Sequence, residues 1–227
     1  MKSAVVEYPY FYLVFTGLKS RSNNSKTGKA VQTYLIDKEN ISVKDTFGAR
    51  CGDCPMRTKC YVNQDKHSVR GALKKLIVGE RTSYRWSVLS DVLPLLRGRI
   101  LRLGTYGDPS VIPLCDLEQI TSACEGWLGY THFWRDVDPA YARYLMASCE
   151  SASHELLASS LGYRRFKARL SLEDNILSDS ILCPAVSRGI TCDRCGLCNG
   201  SREGDKRKSI YLDLHGSRKD KPYLGEL

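Results

Sequence analysis

The sequence predicts an α/β protein: a partial or complete (β/α) barrel-like domain with cysteine-rich metal-binding loops. Three observations lead there. Short apolar runs rich in β-branched and aromatic residues recur roughly 20–30 residues apart with helix-patterned segments between them, which signals repeated β/α units and a largely parallel sheet. Polar residues fit for chemistry follow several of these runs directly. Seven of the ten cysteines fall into two tight groups, at about 51–60 and 183–200. A single domain over 1–227 accommodates all three, because a chain of this length buries a full core and neither a low-complexity linker nor an internal repeat divides it.

Taken in order, "YFYLVFTG" (10–17) is a buried strand that runs into the polar loop "LKSRSNNSKTGKA". The "KTGK" within it looks like part of a phosphate-binding loop. That motif needs Gly five residues before the Gly-Lys pair and Ser or Thr after it, where this chain has Asn23 and Ala30, so the match fails. "VQTYLI" (31–36) is a second strand. "SVRGALKKLIV" and "SVLSDVLPLLRG" have helical spacing, the second interrupted at Pro94. The strand "RILRLGTYGDPS" then leaves through Thr105 and Asp108, "GWLGYTHFW" through Thr131 and His132, and "YLMASCESAS" through Ser148 and Glu150. A helix begins near Ser151 and contains His154. "YRRFKARLS", "LCPAV" and "SIYLDLHGS" finish the series, the last leaving at His215.

In a (β/α) barrel or open α/β sheet the carboxyl ends of the strands gather on one face, where active sites form. Asp108, His132, Glu150 and His215 are therefore candidate catalytic residues, and Thr105, Thr131 and Ser148 candidate cofactor-binding residues. Each has a structural alternative. Asp108, followed by Pro-Ser, suits a helix cap equally well, and His132 suits a hydrogen-bonded core histidine.

The composition, 42% apolar and 26% charged, is that of a soluble globular chain. No apolar run reaches the ~20 residues of a membrane span, and "YFYLVF" lacks a basic leader and a cleavage site, so no membrane partner and a cytoplasmic location are expected. Cysteines in a reducing compartment stay free of disulfides. Cys115, Cys124 and Cys149, scattered among apolar residues, read as small buried hydrophobes. The formal charge of +9 is concentrated around Lys66–Arg102 and again after the last cysteine. It favours a nucleotide, nucleic acid or other phosphate-bearing partner, with a solvated basic face as the plain alternative.

The grouped cysteines carry the chemistry. Cys183, Cys192, Cys195 and Cys198 form C-x8-C-x2-C-x2-C. Successive two-residue gaps let one loop wrap several corners of a [4Fe–4S] cluster, whereas zinc sites usually pair C-x2-4-C units across a longer spacer. Cys51, Cys54 and Cys60 form C-x2-C-x5-C, three ligands with a fourth position to fill. An open iron there would receive a nucleoside-sulfonium cofactor, S-adenosylmethionine, which carries the hard chemistry while the protein orients it. One shared cluster, or two zinc sites with His67 completing the upstream one, are the alternatives.

The stretches "CGDCP…CYV", "RLGTYGDPS", "GYTHFW", "CPAV", "CDRCGLCNG" and "HGSRK" together resemble an uncharacterised cysteine-rich family of phages and mobile elements, which is similar to radical-SAM-like (β/α) barrels. The resemblance spans most of the chain. It implies iron–sulfur ligation by both cysteine groups, S-adenosylmethionine as cofactor and the cytoplasm of a host cell as location. The upstream spacing departs from the C-x3-C-x2-C of the radical-SAM signature. A second reading is a non-catalytic nucleic-acid-binding or replication-accessory protein stapled by iron–sulfur or zinc, with Tyr61, Tyr84, Trp86 and Tyr211 stacking bases among the Arg and Lys runs. A third is a structural protein of a virion or complex.

Overall fold

The computed structural model describes residues 2–19, 26–39, 51, 54, 56, 58–60, 68–171 and 173–213. Strands β1 (Ser3–Glu7), β2 (Phe11–Thr16) and β3 (Val31–Asp37) form an antiparallel meander. A short β4 (Tyr84–Trp86) pairs in parallel outside β1, while β3 continues in parallel to β5 (Ile100–Tyr106) and β6 (Gly126–Leu128). This six-stranded sheet is ordered β4-β1-β2-β3-β5-β6. A second sheet of five strands is wholly parallel: β10 (Ser180–Leu182), β11 (Ser209–Asp213), β9 (Arg165–Arg169), β8 (Met146–Cys149) and β7 (Tyr130–Thr131), in that order.

Gly129 alone separates β6 from β7, so one extended stretch hands over from the first sheet to the second. Its N–H donates to the carbonyl of Cys198 at 2.9 Å and its carbonyl accepts from Met146 at 3.1 Å. A Cβ here would stand 2.9 Å from side-chain carbons of both Leu103 and Leu145, which is why the junction is glycine. The strands from β3 onward are thus all parallel, with their carboxyl ends on one edge. The architecture is mixed α/β in two sheets. Closure into a barrel is not shown, since β4 and β10 end their sheets among the described residues.

The near-continuous apolar runs follow from burial on both faces. Leu13 and Phe15 of β2, with Val31 and Leu35 of β3, pack into one core with Leu101, Leu103, Leu117, Ile120 and Trp134. Tyr12, Val14 and Ile36 point the other way, onto Val69 and Leu73 of α1 (Ser68–Ile77). Helices α3 (Leu114–Ala123) and α4 (Ala152–Ser160) cover the first face.

Several sequence expectations are corrected. The helix expected over 87–98 is one turn, α2 (Leu89–Val92), followed by a 3-10 turn at Leu93–Leu96, because Pro94 brings no N–H to an α ladder. The "LCPAV" strand ends at Leu182, and Pro184 instead opens the short helix α5 (Pro184–Ser187). Cys115 is exposed on α3, not buried; Cys124 is half-buried with its thiol 3.1 Å from the Ile120 carbonyl, and Cys149 is buried as read. Strands β1 and β4 were not read from the sequence.

Candidate functional site

The carboxyl edge of the parallel strands collects most of the candidates. Asp108 follows β5 and is buried. One carboxylate oxygen accepts from the Ser110 backbone N–H at 3.0 Å and its hydroxyl at 2.8 Å, capping a 3-10 turn at Pro109–Val111. The other accepts the His132 backbone N–H at 2.7 Å. Asp108 therefore ties the exit of β5 to the exit of β7, and its capping role is the one the hydrogen bonds display.

That tie presents the His132 ring to Glu150, which follows β8. His132 Nδ1 lies 3.2 Å from Glu150 Oε1, and His154 Nδ1 lies 3.2 Å from Glu150 Oε2. The carboxylate is 1% exposed while the two imidazoles are 28% and 31% exposed, so a buried acid holds two half-open rings. Burial alone would push the Glu150 pKa up, but the close imidazoles of His132 and His154, the latter hydrogen-bonded to it, outweigh burial and bring it down to about 2. For His132, burial favours the neutral ring, yet the neighbouring Cys54 and Glu150 raise its pKa well above the ordinary value.

Cys54 brings the upstream cysteines to this edge. Its N–H donates to the Cys51 carbonyl at 3.0 Å. The Cys51 thiol is pushed up to about 12, first by burial and then by the negative fields of Cys54, Cys60, Asp108 and Asp37. Tyr106, at the end of β5, feels Cys51, Arg70, Asp37 and Cys60 in turn, and its hydroxyl accepts from Arg70 at 3.3 Å. Cys51 and Cys54, 57 positions before Asp108 and 78 before His132 in sequence, thus stand against those residues in space.

The remaining candidates divide. Thr131 is buried, its hydroxyl donating to Ser110 Oγ at 3.2 Å and accepting from the Phe133 N–H at 3.0 Å. Ser148 is buried, and its carbonyl accepts from the Trp134 indole at 2.9 Å. Thr105 donates to Gln32 Oε1 at 2.8 Å, on the strand before the edge. His215, and His67 of the zinc alternative, lie outside the described residues. His154, Asp37, Tyr106 and Arg70 were not expected from the sequence as site residues, His154 being read only as part of a helix and Arg70 only as part of a basic stretch. The Glu150–His154 spacing of i, i+4 on a helix start was the available signal for the first of these.

The downstream cysteines form a second, separate group. Cys183 follows β10 and donates its N–H to the Tyr211 carbonyl at 2.8 Å. Cys192 and Cys195 bound the single-turn helix α6 (Cys192–Cys195), ended by Gly196 at φ 64°. Asp193 on that turn accepts from the Lys29 N–H at 2.8 Å. Cys198, Cys183 and Cys192 pack with Leu128, Tyr130, Met146, Phe166 and Ile210 on the face of the second sheet away from α4. The Cys198 thiol is pushed up to about 12 by burial, opposed by a hydrogen bond with Tyr130 and reinforced by Cys183, Cys192 and Cys195. Arg164 locks the loop: its guanidinium donates to the carbonyls of Leu197 at 2.6 Å, Asn199 at 2.9 Å and Lys208 at 2.7 Å.

The basic surface is less uniform than its sequence. Tyr84 is buried in the α1 core and offers no face to a base, whereas Trp86 is 45% exposed. Arg169 lies 5.6 Å over the Tyr211 ring. Arg207 turns inward onto Asp205, Asn199 and Gly200. Tyr61 lies outside the described residues.

Among the described residues no group of three or more His, Cys, Asp and Glu side chains is arranged so that it could hold a metal ion. No described helix is long and apolar enough to cross a membrane. No protein-family model, no curated protein and no solved structure matches this chain.

Proposed function

We propose that the protein is an iron–sulfur protein of the cytoplasm, related to the phage-type cysteine-rich family, in which Cys51, Cys54 and Cys60 hold a reactive [4Fe–4S] cluster and Cys183, Cys192, Cys195 and Cys198 an auxiliary one. The observation that carries the reading is the meeting of Cys51 and Cys54 with Asp108, His132 and Glu150 at the carboxyl edge of parallel strands. That is where an open α/β sheet or a partial barrel does its chemistry. The donor chemistry suits the group. All seven proposed ligands are thiols, and Cys183, Cys192 and Cys198 pack in one cluster with Leu128 and Ile210. A zinc ion, with Zn–S of about 2.3 Å, would draw four thiolates to within ~3.8 Å of one another. A cubane takes one thiolate per iron and spaces them wider.

With three protein thiolates, the upstream cluster would leave one iron for S-adenosylmethionine, whose bound form supplies radical chemistry. The chain's own part is then to bind and orient. Asp108 fixes the His132 backbone, Glu150 holds the His154 ring and faces that of His132, and Tyr106, hydrogen-bonded by Arg70, borders Cys51 and Cys60. The substrate class is a nucleotide or another phosphate-bearing molecule, on the strength of the +9 charge. The competing reading, a metal-stapled nucleic-acid-binding protein, is weakened by the burial of Tyr84.

The test is anaerobic purification with iron, sulfide and zinc measured per chain, in the wild type and in Cys51→Ala/Cys54→Ala/Cys60→Ala. About eight irons falling to about four means two cubanes. Zinc without sulfide overturns the proposal and leaves salt-dependent binding of single-stranded nucleic acid as the property to measure.

A further inference from the structure

The amino ends of β8, β9 and β11 lie side by side, because the second sheet runs β11-β9-β8 in parallel. Each strand is entered through cations. Arg143 stands three residues before β8, Arg164 directly before β9, and Lys206, Arg207 and Lys208 directly before β11. The opposite edge, where the parallel strands end, carries Asp37, Asp108 and Glu150, all buried. The two edges therefore differ in sign.

The segment 199–208, "NGSREGDKRK", crosses these amino ends as a pinned loop. The Ser201 N–H donates to the Ala142 carbonyl at 2.7 Å and the Gly200 N–H to the Tyr144 carbonyl at 3.2 Å, which seats the loop beside Arg143. Arg164 donates its backbone N–H to Ser201 Oγ at 2.8 Å, and its guanidinium to the Asn199 and Lys208 carbonyls at 2.9 and 2.7 Å. Asp205 is taken up internally, accepting from Arg207 Nε at 2.8 Å and standing 3.8 Å from the Arg164 guanidinium. The loop thus shows solvent Arg202, Lys206 and Lys208, with exposed Arg143 next to them and Glu203 as the one exposed carboxylate of the segment.

We propose that this amino edge is a docking surface for duplex nucleic acid, with Arg143, Arg202, Lys206 and Lys208 contacting the phosphate backbone. The proposal rests on the reading above only for the phosphate chemistry of the partner and involves no metal centre. A duplex is the polyanion that fits. The segment has no aromatic residue on which an unpaired base could stack and no aliphatic one to enter a lipid surface. Backbone contacts need neither. The amino ends of β11 and β8 are two strand steps apart, about 10 Å, which corresponds to roughly three nucleotide steps along one strand. Because the loop is held in place beforehand, little further ordering accompanies docking.

The experiment follows binding of a fluorescein-labelled DNA duplex of about 20 base pairs to the full chain, by fluorescence anisotropy between about 50 and 200 mM salt. Arg143→Gln/Arg202→Gln/Lys206→Gln is compared with Lys74→Gln/Lys75→Gln/Arg81→Gln, which removes the same charge from exposed positions on and after α1. The first variant should bind about tenfold or more weakly, its slope of log binding constant on log salt shallower by about 3, while the second changes little. Equal losses in both variants overturn the proposal, because net charge alone would then account for the attraction. So do a wild type that leaves the duplex unbound, and tighter binding of a single-stranded oligonucleotide or of phosphatidylserine vesicles at the same salt. If thermal unfolding shows the first variant to be unstable, Lys208→Gln alone decides: a slope shallower by about 1 supports the surface, and an unchanged slope overturns it. Iron and sulfide measured on the same preparations test the iron–sulfur reading separately, since no cysteine takes part in this surface.

Discussion

Glu150 faces two histidines that come from different elements: Oε1 stands 3.2 Å from Nδ1 of His132, just after β7, and Oε2 is hydrogen-bonded at 3.2 Å to Nδ1 of His154, in the first turn of α4. Both rings are thereby turned with Nδ1 inward. A carboxylate that is 1% exposed is kept ionised by this pair.

The acid stability of the protein follows from it. The Glu150 pKa is about 2 in the fold against an ordinary 4.5, so its contribution is complete above pH 4.5 and disappears as pH falls through 2. At ~1.36 kcal/mol per unit the contribution is on the order of 3 kcal/mol. Glu150→Gln should lower unfolding free energy by that order at neutral pH and flatten the acid limb, both read from urea denaturation across pH. Equal acid limbs in the two proteins would contradict this arrangement.

Arg164 replaces with one side chain the partners that Leu197, Asn199 and Lys208 would otherwise lack. Arg164→Lys keeps the charge and loses the planar fork, so it should still destabilise, by about 1–3 kcal/mol per carbonyl left buried and unmet. The accompanying sign is faster alkylation of Cys198, followed by mass spectrometry of the labelled peptide.

The Lys167 ammonium and the Glu155 carboxylate form a buried pair at 2.9 Å, with exposures of 2% and 1%. Lys167→Met should cost about 3–5 kcal/mol by leaving Glu155 buried and unpaired. Lys167→Met/Glu155→Leu should recover much of the loss, as a double-mutant cycle in urea will show.

Gly200 crosses the backbone of Ala142 and Arg143 so closely that a Cβ would meet Arg143 backbone atoms at 2.3 Å. The Ser201 N–H to Ala142 carbonyl bond of 2.7 Å depends on that approach. Gly200→Ala should cost about 1–3 kcal/mol or more by overpacking. Gly162, where a Cβ meets nothing, is the contrast: its φ of 82° makes Gly162→Ala a matter of backbone strain alone, about 1 kcal/mol. Thermal unfolding of both variants distinguishes the two mechanisms.

Much of this was legible in the sequence. The runs at 10–17 and 31–36 mark β2 and β3 because apolar, β-branched stretches buried on both faces look the same whatever surrounds them, and the run at 209–217 contains β11, whose first two residues alone are buried. The exits at Asp108, His132 and Glu150 share one edge, as parallel strands require. Other features left no local trace. The exposure of Cys115 depends on which side of α3 faces the core, and the burial of Tyr84 on α1 crossing over β4. His154 counts as a site residue only because Glu150 turns toward it.

The sequence by itself determined the α/β alternation, the two cysteine groups and the polar residues that leave the strands, since each is written in spacing and residue type over a few neighbours. The tertiary structure decided which of these meet. Cys54 reaches His132 across 78 positions, and Gly129 hydrogen-bonds Cys198 across 69, because parallel pairing lays the strands side by side in an order that spacing does not encode. It also decided what each polar group is for. Asp108 is a cap and a tether because Ser110 and His132 occupy its oxygens, and that occupancy is a matter of contacts, which residue type alone leaves open.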